Sequence, residues 1–306
     1  MRAGFVAGAV MALMDKGLLG FDCAVAVSAG APTLAYMVAG QRREMEAVWR
    51  EELCSPHLIC YRNLPLAPVP TEENPPVVNV DYLVLDLFRD QYPLDLGRLL
   101  SSPIQCYFAV AELSGGRFHF LRPGDADIYT ILKAAVALPG CYPHGVPVNG
   151  VQYIDGGTVN PLPVYRAIQH GAGKILAILS RPVGCEFEPP PILGRALFWW
   201  YFQKHEWVME KLHEAGRAYK DQVLYLADRA ARSPAEALIV APDSMPPARL
   251  VTRNRRKVNQ TIDMGYRKVE ELEDQIRRFF AADTYERPTA RCDFSGDNAH
   301  PIECSG

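Results

Sequence analysis

The sequence predicts a layered α/β domain with a mainly parallel central sheet, followed by a mainly helical C-terminal extension. Three observations carry this. Short apolar runs of strand character alternate with helical patterns between Phe21 and Leu179, the order that builds strand–helix–strand units. After Pro182 that alternation stops, and Pro189-Pro190-Pro191 marks a break. Beyond it the pattern is helical. Val258, Ile262, Tyr266, Val269, Leu272 and Ile276 recur at three- and four-residue steps, which marks one buried stripe. The expected division is an α/β domain over 1–182, a helical extension packed on it over 183–282, and a loose polar tail over 283–306.

The elements follow in order. Residues 5–16 read as a helix with Gly17 as its stop. Met1-Arg2 followed by Ala3–Met14 also has the outline of a short signal peptide, but Asp15-Lys16-Gly17 interrupts the apolar run, and the helix reading is preferred. Residues 22–27 are a buried strand, 29–39 the helix that leaves it, and Gln41–Glu52 a charged helix. The proline-rich stretch 65–76 reads as a surface loop and 77–88 as strand-like. Ile104–Ala111 is a buried strand that turns through Ser114-Gly115-Gly116 into Phe118–Leu121 as a hairpin. Asp127–Ala137 is helical. Val151–Ile154 is a short strand ending at Asp155-Gly156-Gly157. Pro161 suits the first turn of a helix running to His170. Lys174–Leu179 and Leu238–Ala241 are strand-like, 196–231 is mostly helical, and 251–281 is one long amphipathic helix.

Composition narrows the function classes. At 306 residues, 49% hydrophobic and 22% charged, the chain can bury a large core without staples. A net charge of -3 argues against nucleic acid as a partner. The eight cysteines form no CxxC pair and show no zinc-ligand spacing with histidine. Reduced thiols in a cytoplasmic protein are therefore expected. No apolar run approaches the roughly 20 residues that span a bilayer.

Ser28 is the first candidate for chemistry. It follows the apolar strand, is flanked by Ala26, Ala29 and Gly30, and precedes a helix. That is the form of a strand-to-helix turn that lifts a serine hydroxyl clear of the backbone, where bulky side chains two positions either side would collide. The helix that follows offers its N-terminal amides to an anion. A tight turn carrying an ordinary serine fits the same residues. Asp155 is the second candidate. Its two glycines let the chain turn away, leaving the carboxylate exposed at the strand tip, although an Asp-Gly turn fits equally. Both residues end predicted strands of one sheet and so are expected on one edge of it. Of the seven histidines, His144 is the best third member of a Ser-His-Asp triad, and such a triad in a secreted esterase is one alternative. The order is wrong for the common serine-hydrolase fold, in which several strands precede the serine and the histidine comes last. Here the last histidine, His300, falls in the expected tail.

Two further stretches stand out. Leu197–Phe202 is a dense aromatic run, suited to core packing or to a lipid boundary. Arg253, Arg255, Arg256 and Lys257 open the long helix, as a solvated face or as a contact with anionic lipid.

The chain resembles the patatin-like lipid acyl hydrolases, in their bacterial branch. The resemblance rests on Arg2–Gly17, Phe21-Asp22 with Val27–Ala31, Lys133–Gly140, and Tyr153–Gly157 with Asn160-Pro161. These blocks stand in family order over roughly residues 1–180, with a softer match in the Tyr219 region and the long helix. The resemblance implies a Ser28–Asp155 dyad without histidine, metal or cofactor, acting on lipid or other acyl esters through an acyl-serine. Ser28 would be the nucleophile and Asp155 the general base. It implies an oxyanion site from backbone amides of Arg2, Ala3 and Ala29. Two departures are visible: Ala26 where the family has glycine, and a start at Met1-Arg2-Ala3 that retains only the tail of the family's glycine-rich oxyanion loop. The expectation drawn from this is a start at an internal methionine of a longer protein. A fold kept without catalysis, as a lipid-binding or interaction module, is the second alternative. The expected location is cytoplasmic, with peripheral membrane contact left open.

Overall fold

The computed structural model describes residues 1–66, 76–142, 144–185 and 205–281. Pro189–Pro191, the aromatic run Leu197–Phe202, His300, the tail over 283–306 and most of the 65–76 loop lie outside the described residues.

Helix α1 (Gly4–Asp15) is rich in alanine and glycine and buried along most of its length. Gly17, at φ 66°, ends it, and the Leu18 N–H reaches back to the Leu13 carbonyl at 2.8 Å, the left-handed glycine stop that satisfies the last carbonyls of a helix. Strand β1 (Cys23–Val27) leads through Ser28 into α2 (Gly30–Val38). Helix α3 (Arg42–Ala47) runs on into a π-helical turn, Val48–Glu52. The stretch expected as a strand over 77–88 is instead mainly a second π-helical segment, Tyr82–Gln91, because its buried side chains Leu83, Val84, Leu87 and Phe88 repeat with helical and not alternating spacing. Helix α4 (Leu96–Ser101), capped by Asp95, precedes β2 (Gln105–Glu112).

The five-stranded sheet is mixed, which corrects the expectation of a mainly parallel one. β1 runs parallel to β2, while β3 (Phe118–Leu121) and β5 (Val151–Asp155) are antiparallel to β2 and β4 (Val146–Val148) is antiparallel to β5. The reason is local. β2 and β3 form a hairpin, and β4 and β5 form another through Asn149-Gly150, with φ 49° and 84° at the two turn residues, the left-handed pair that a two-residue hairpin loop requires.

The register shows how the sheet positions its ends. β3 pairs with Phe108–Ala111 of β2. β1 pairs with Gln105–Ala109 and β5 with Val110–Glu112. A strand residue has a neighbour on each of two sides, and β3 overlaps both partners, so β1 and β5 must share the other side of β2. They lie end to end along it and run toward each other.

Helix α5 (Ile128–Val136), capped by Asp127, covers this sheet, and α6 (Val164–Gln169) follows it. β6 (Ile175–Ile178) joins no strand of the main sheet. It pairs in parallel with β7 (Ala237–Val240), after the long helix α7 (Glu206–Arg232). The 182/183 division thus falls between two strands of one small sheet. The helix expected over 251–281 begins only at Arg255, where the Asn254 side chain accepts the Lys257 N–H, and it breaks at Leu272 into α8 (Arg255–Glu271) and α9 (Glu273–Ala281). Val258, Ile262, Val269 and Ile276 of its stripe are fully buried. α8 packs on α1 with backbones in contact. A Cβ on Gly8 would lie 1.9 Å from the Ile262 carbonyl oxygen, and one on Gly265 would lie 1.9 Å from that of Phe5. Among the described residues no helix is long and apolar enough to cross a membrane.

Candidate active site

Ser28 sits one residue past β1 with φ 57°. Apart from Asn149 it is the one non-glycine residue with left-handed backbone among those described, a conformation that costs on the order of 1–3 kcal/mol and is kept only where surroundings enforce it. The enforcement is visible. β1 is locked into the sheet, and α2 starts at once, with the Ala31 N–H on the Ser28 carbonyl at 2.8 Å. Small neighbours are needed. A Cβ added to Gly30 would meet the Ala26 Cβ at 3.7 Å, ordinary contact with no room for more. Alanine at 26 therefore fits the turn.

Asp155 ends β5. Its N–H donates to the Ala137 carbonyl, just past the end of α5, at 3.0 Å. Its carboxylate accepts the Gly157 N–H at 2.8 Å, and the Ser28 hydroxyl lies beside it. The expected exposed carboxylate is in fact buried, 1% accessible, because β2 and the Ala137 end of α5 close over the strand tip. The two glycines are steric requirements of that burial. A Cβ on Gly156 would sit 2.6 Å from the Ala109 carbonyl carbon. One on Gly157 would sit 3.1 Å from Asp155 Oδ1 and 3.2 Å from a methyl of Val27. Burial pushes the Asp155 carboxyl up from 3.8 to about 6, while the hydrogen bonds from Ser28 and Gly157 pull the other way.

The pair meets differently from the sequence expectation. Ser28 and Asp155 are not neighbours on one edge of a parallel sheet. β1 and β5 approach head-on along one side of β2, and their ends meet where Ala109 gives way to Val110.

Ala29 follows Ser28, caps α2, and its N–H has no hydrogen-bond acceptor among the described residues. Ala3 caps α1, and the Met1, Arg2 and Ala3 carbonyls accept the N–H groups of Gly4, Phe5 and Ala7. Met1, beside them, lines the same cavity as Ser28 and Ala29. His144 is exposed, with its ring edge-on to Tyr142, and the Asp155 carboxylate is already held by Ser28 and Gly157. Among the described residues no hydrogen bond or ring contact joins His144 to Ser28 or Asp155. Among the described residues no cluster of three or more His, Cys, Asp or Glu side chains could hold a metal ion.

The sequence reading missed the cavity. Ser28 and Ala29 open onto a space of about 110 Å³ whose other walls include Tyr36, Trp49, Ile59, Leu83 and Phe88. Its two polar aromatic tips are spent. Tyr36 donates to the Tyr92 carbonyl at 2.7 Å, and Trp49 donates to Thr33 at 3.0 Å. Ser28 therefore faces an apolar lumen. Both π-helical segments supply its walls, a form of helix frequent at functional sites. The helical spacing of Leu83, Val84, Leu87 and Phe88 was the signal that could have revealed one of them.

Comparison with known proteins fits this geometry. A curated relative, an uncharacterized protein (YjjU) of Escherichia coli strain K12, is 25% identical over 197 residues, covering 61% of this chain and 51% of that protein. The chain thus spans about half the length of that relative. The sequence model described as patatin-like phospholipase matches residues 1–168, over half of the chain and including both Ser28 and Asp155. The chain belongs to the patatin-like phospholipase family.

Proposed function

We propose that this protein hydrolyses carboxylic esters of lipids, with Ser28 as nucleophile and Asp155 as general base. The observation that carries the reading is a strained serine beside a buried carboxylate at the mouth of an apolar cavity. The acyl chain lies in the lumen, which brings the ester carbonyl to Ser28. Ser28 Oγ attacks the carbonyl carbon as its proton passes to Asp155. The Ala29 N–H, with backbone amides of Arg2 and Ala3, holds the negative oxygen, each such donor contributing about 10²–10³ in rate. The proton returns from Asp155 to the departing alcohol, leaving an acyl-serine. Water then repeats the cycle with the same base and releases the fatty acid. A carboxyl near pKa 6 is a stronger base than one at 3.8 and is still ionised at neutral pH. The chemistry needs no cofactor.

Fluorophosphonate labelling and turnover of a water-soluble acyl ester test this. Labelling is expected in the parent protein and absent in Ser28→Ala. Turnover is expected to fall about 10²–10⁴-fold in Asp155→Asn. A parent protein that neither labels nor turns over ester would favour a non-catalytic lipid-binding role. Lost turnover in a folded His144→Ala variant would instead favour a triad.

A further inference from the structure

The face beside the cavity mouth combines apolar and cationic groups. Among the described residues that line the cavity, Leu250 alone is exposed, 52% accessible. Tyr61, 44% accessible, donates its hydroxyl to the carbonyl of Val251, another lining residue. The Arg253 guanidinium lies over the Tyr61 ring, 5.3 Å from its centre. Arg249, Arg255, Arg256 and Lys257, next to these residues in the chain, are exposed. Between Met245 and Val258 there is no carboxylate in the sequence. Among the described residues none of these five cations forms an ion pair. Arg255 reaches only the Glu51 carbonyl, at 2.7 Å.

Folding does not explain the charges. Arg255, Arg256 and Lys257 occupy the first turn of α8, which carries no acidic residue. Cations there oppose the positive end of the helix dipole and cost stability. A solvated helix face would place them as well anywhere else along the helix. Their position relative to the cavity gives the alternative reason. A run of exposed cations next to an exposed leucine and tyrosine matches a bilayer, with anionic headgroups meeting the charges and the apolar side chains entering the boundary layer.

We propose that the Tyr61 and Arg249–Lys257 face docks on anionic bilayers, so that a lipid leaving the membrane enters the cavity past Leu250. The passage toward Ser28 rests on the proposed hydrolase function, whereas the docking itself does not.

Binding is measured with the full chain carrying Ser28→Ala, so that turnover plays no part. It is sedimented with vesicles of phosphatidylcholine alone and of phosphatidylcholine mixed with phosphatidylglycerol. Binding is expected only with phosphatidylglycerol and is expected to weaken as salt rises. Arg249→Glu, Arg256→Glu and Lys257→Glu together are expected to lower vesicle partition about tenfold or more. The same three changes with Ser28 intact are expected to leave turnover of a water-soluble ester unchanged. If the triple variant does not fold, Arg256→Ala with Lys257→Ala is expected to give a smaller loss in the same direction. Binding that does not require phosphatidylglycerol overturns the proposal, as does a folded variant that binds like the parent or a stronger preference for a DNA duplex. Retained docking without ester turnover in the parent would count against the hydrolase function and not against this surface.

Discussion

Gly8 of α1 and Ile262 of α8 touch through their backbones, with room for a hydrogen and nothing larger: a Cβ at position 8 would lie 1.9 Å from the Ile262 carbonyl oxygen. The reciprocal contact of Gly265 with Phe5 makes this one shared crossing. Neither partner is the flexible end of a side chain, so relief requires the helices to separate. Gly8→Ala or Gly265→Ala is therefore expected to destabilise the fold by about 3 kcal/mol or more. Gly115→Ala, where the space is open, is expected to be near neutral. Urea midpoints at constant slope check the comparison.

The raised Asp155 pKa makes two opposite demands on pH. In the proposed mechanism ester turnover requires the ionised carboxylate, so kcat/KM is expected to rise with pH through about 6 and then level.

Stability should move the other way. The native carboxyl binds its proton more tightly than the unfolded one, so its contribution is greatest below about 4 and is lost as pH climbs through about 6. Asp155→Asn removes that penalty. Relative to the parent, the variant is expected to gain on the order of 3 kcal/mol between pH 4 and pH 8. Thermal melts at the two pH values measure it, and an equal difference at both would refute the buried-charge account.

Gly157→Ala tests positioning without replacing either Ser28 or Asp155. The new methyl would press on Asp155 Oδ1 and on Val27. A displacement of a few tenths of an ångström is expected to lower kcat about tenfold with KM little changed. Gly30→Ala, which only reaches contact with Ala26, is expected to retain fluorophosphonate labelling of Ser28.

Filling the lumen should change which ester is used. Ile59 lies in the wall, and Ile59→Phe puts a ring into a space of about 110 Å³. Turnover of an octanoate ester is expected to fall roughly tenfold relative to an acetate ester. Parallel losses on both would point to disturbed folding, to be checked by the melting temperature.

Much of this was written in local pattern. Ser28 announced its turn through small neighbours after an apolar strand, and Asp155 through the glycines behind it. The stripe from Val258 to Ile276 announced a buried helix face. What local pattern does not encode is strand direction and partner. The Asn149-Gly150 turn was present in the sequence and, if read, would have reversed β5 against its neighbour. The burial of Asp155 was hidden for another reason: it depends on Ala109 and Ala137, residues distant in the chain with no polar character to mark them. The cavity was hidden because its walls come from several elements, two of them wound as π-helices.

The end-to-end placement of β1 and β5 turns β2 into a ruler for the site. The gap between hydroxyl and carboxylate is set along the strand axis, by where each strand stops, and not by the spacing between strands. A sideways breathing of the sheet leaves that gap nearly unchanged. A slip or insertion of one residue in either strand would move Ser28 or Asp155 by about 3.3 Å and turn it to the opposite face. The pair should therefore tolerate substitutions throughout the sheet far better than any change in the length of these two strands.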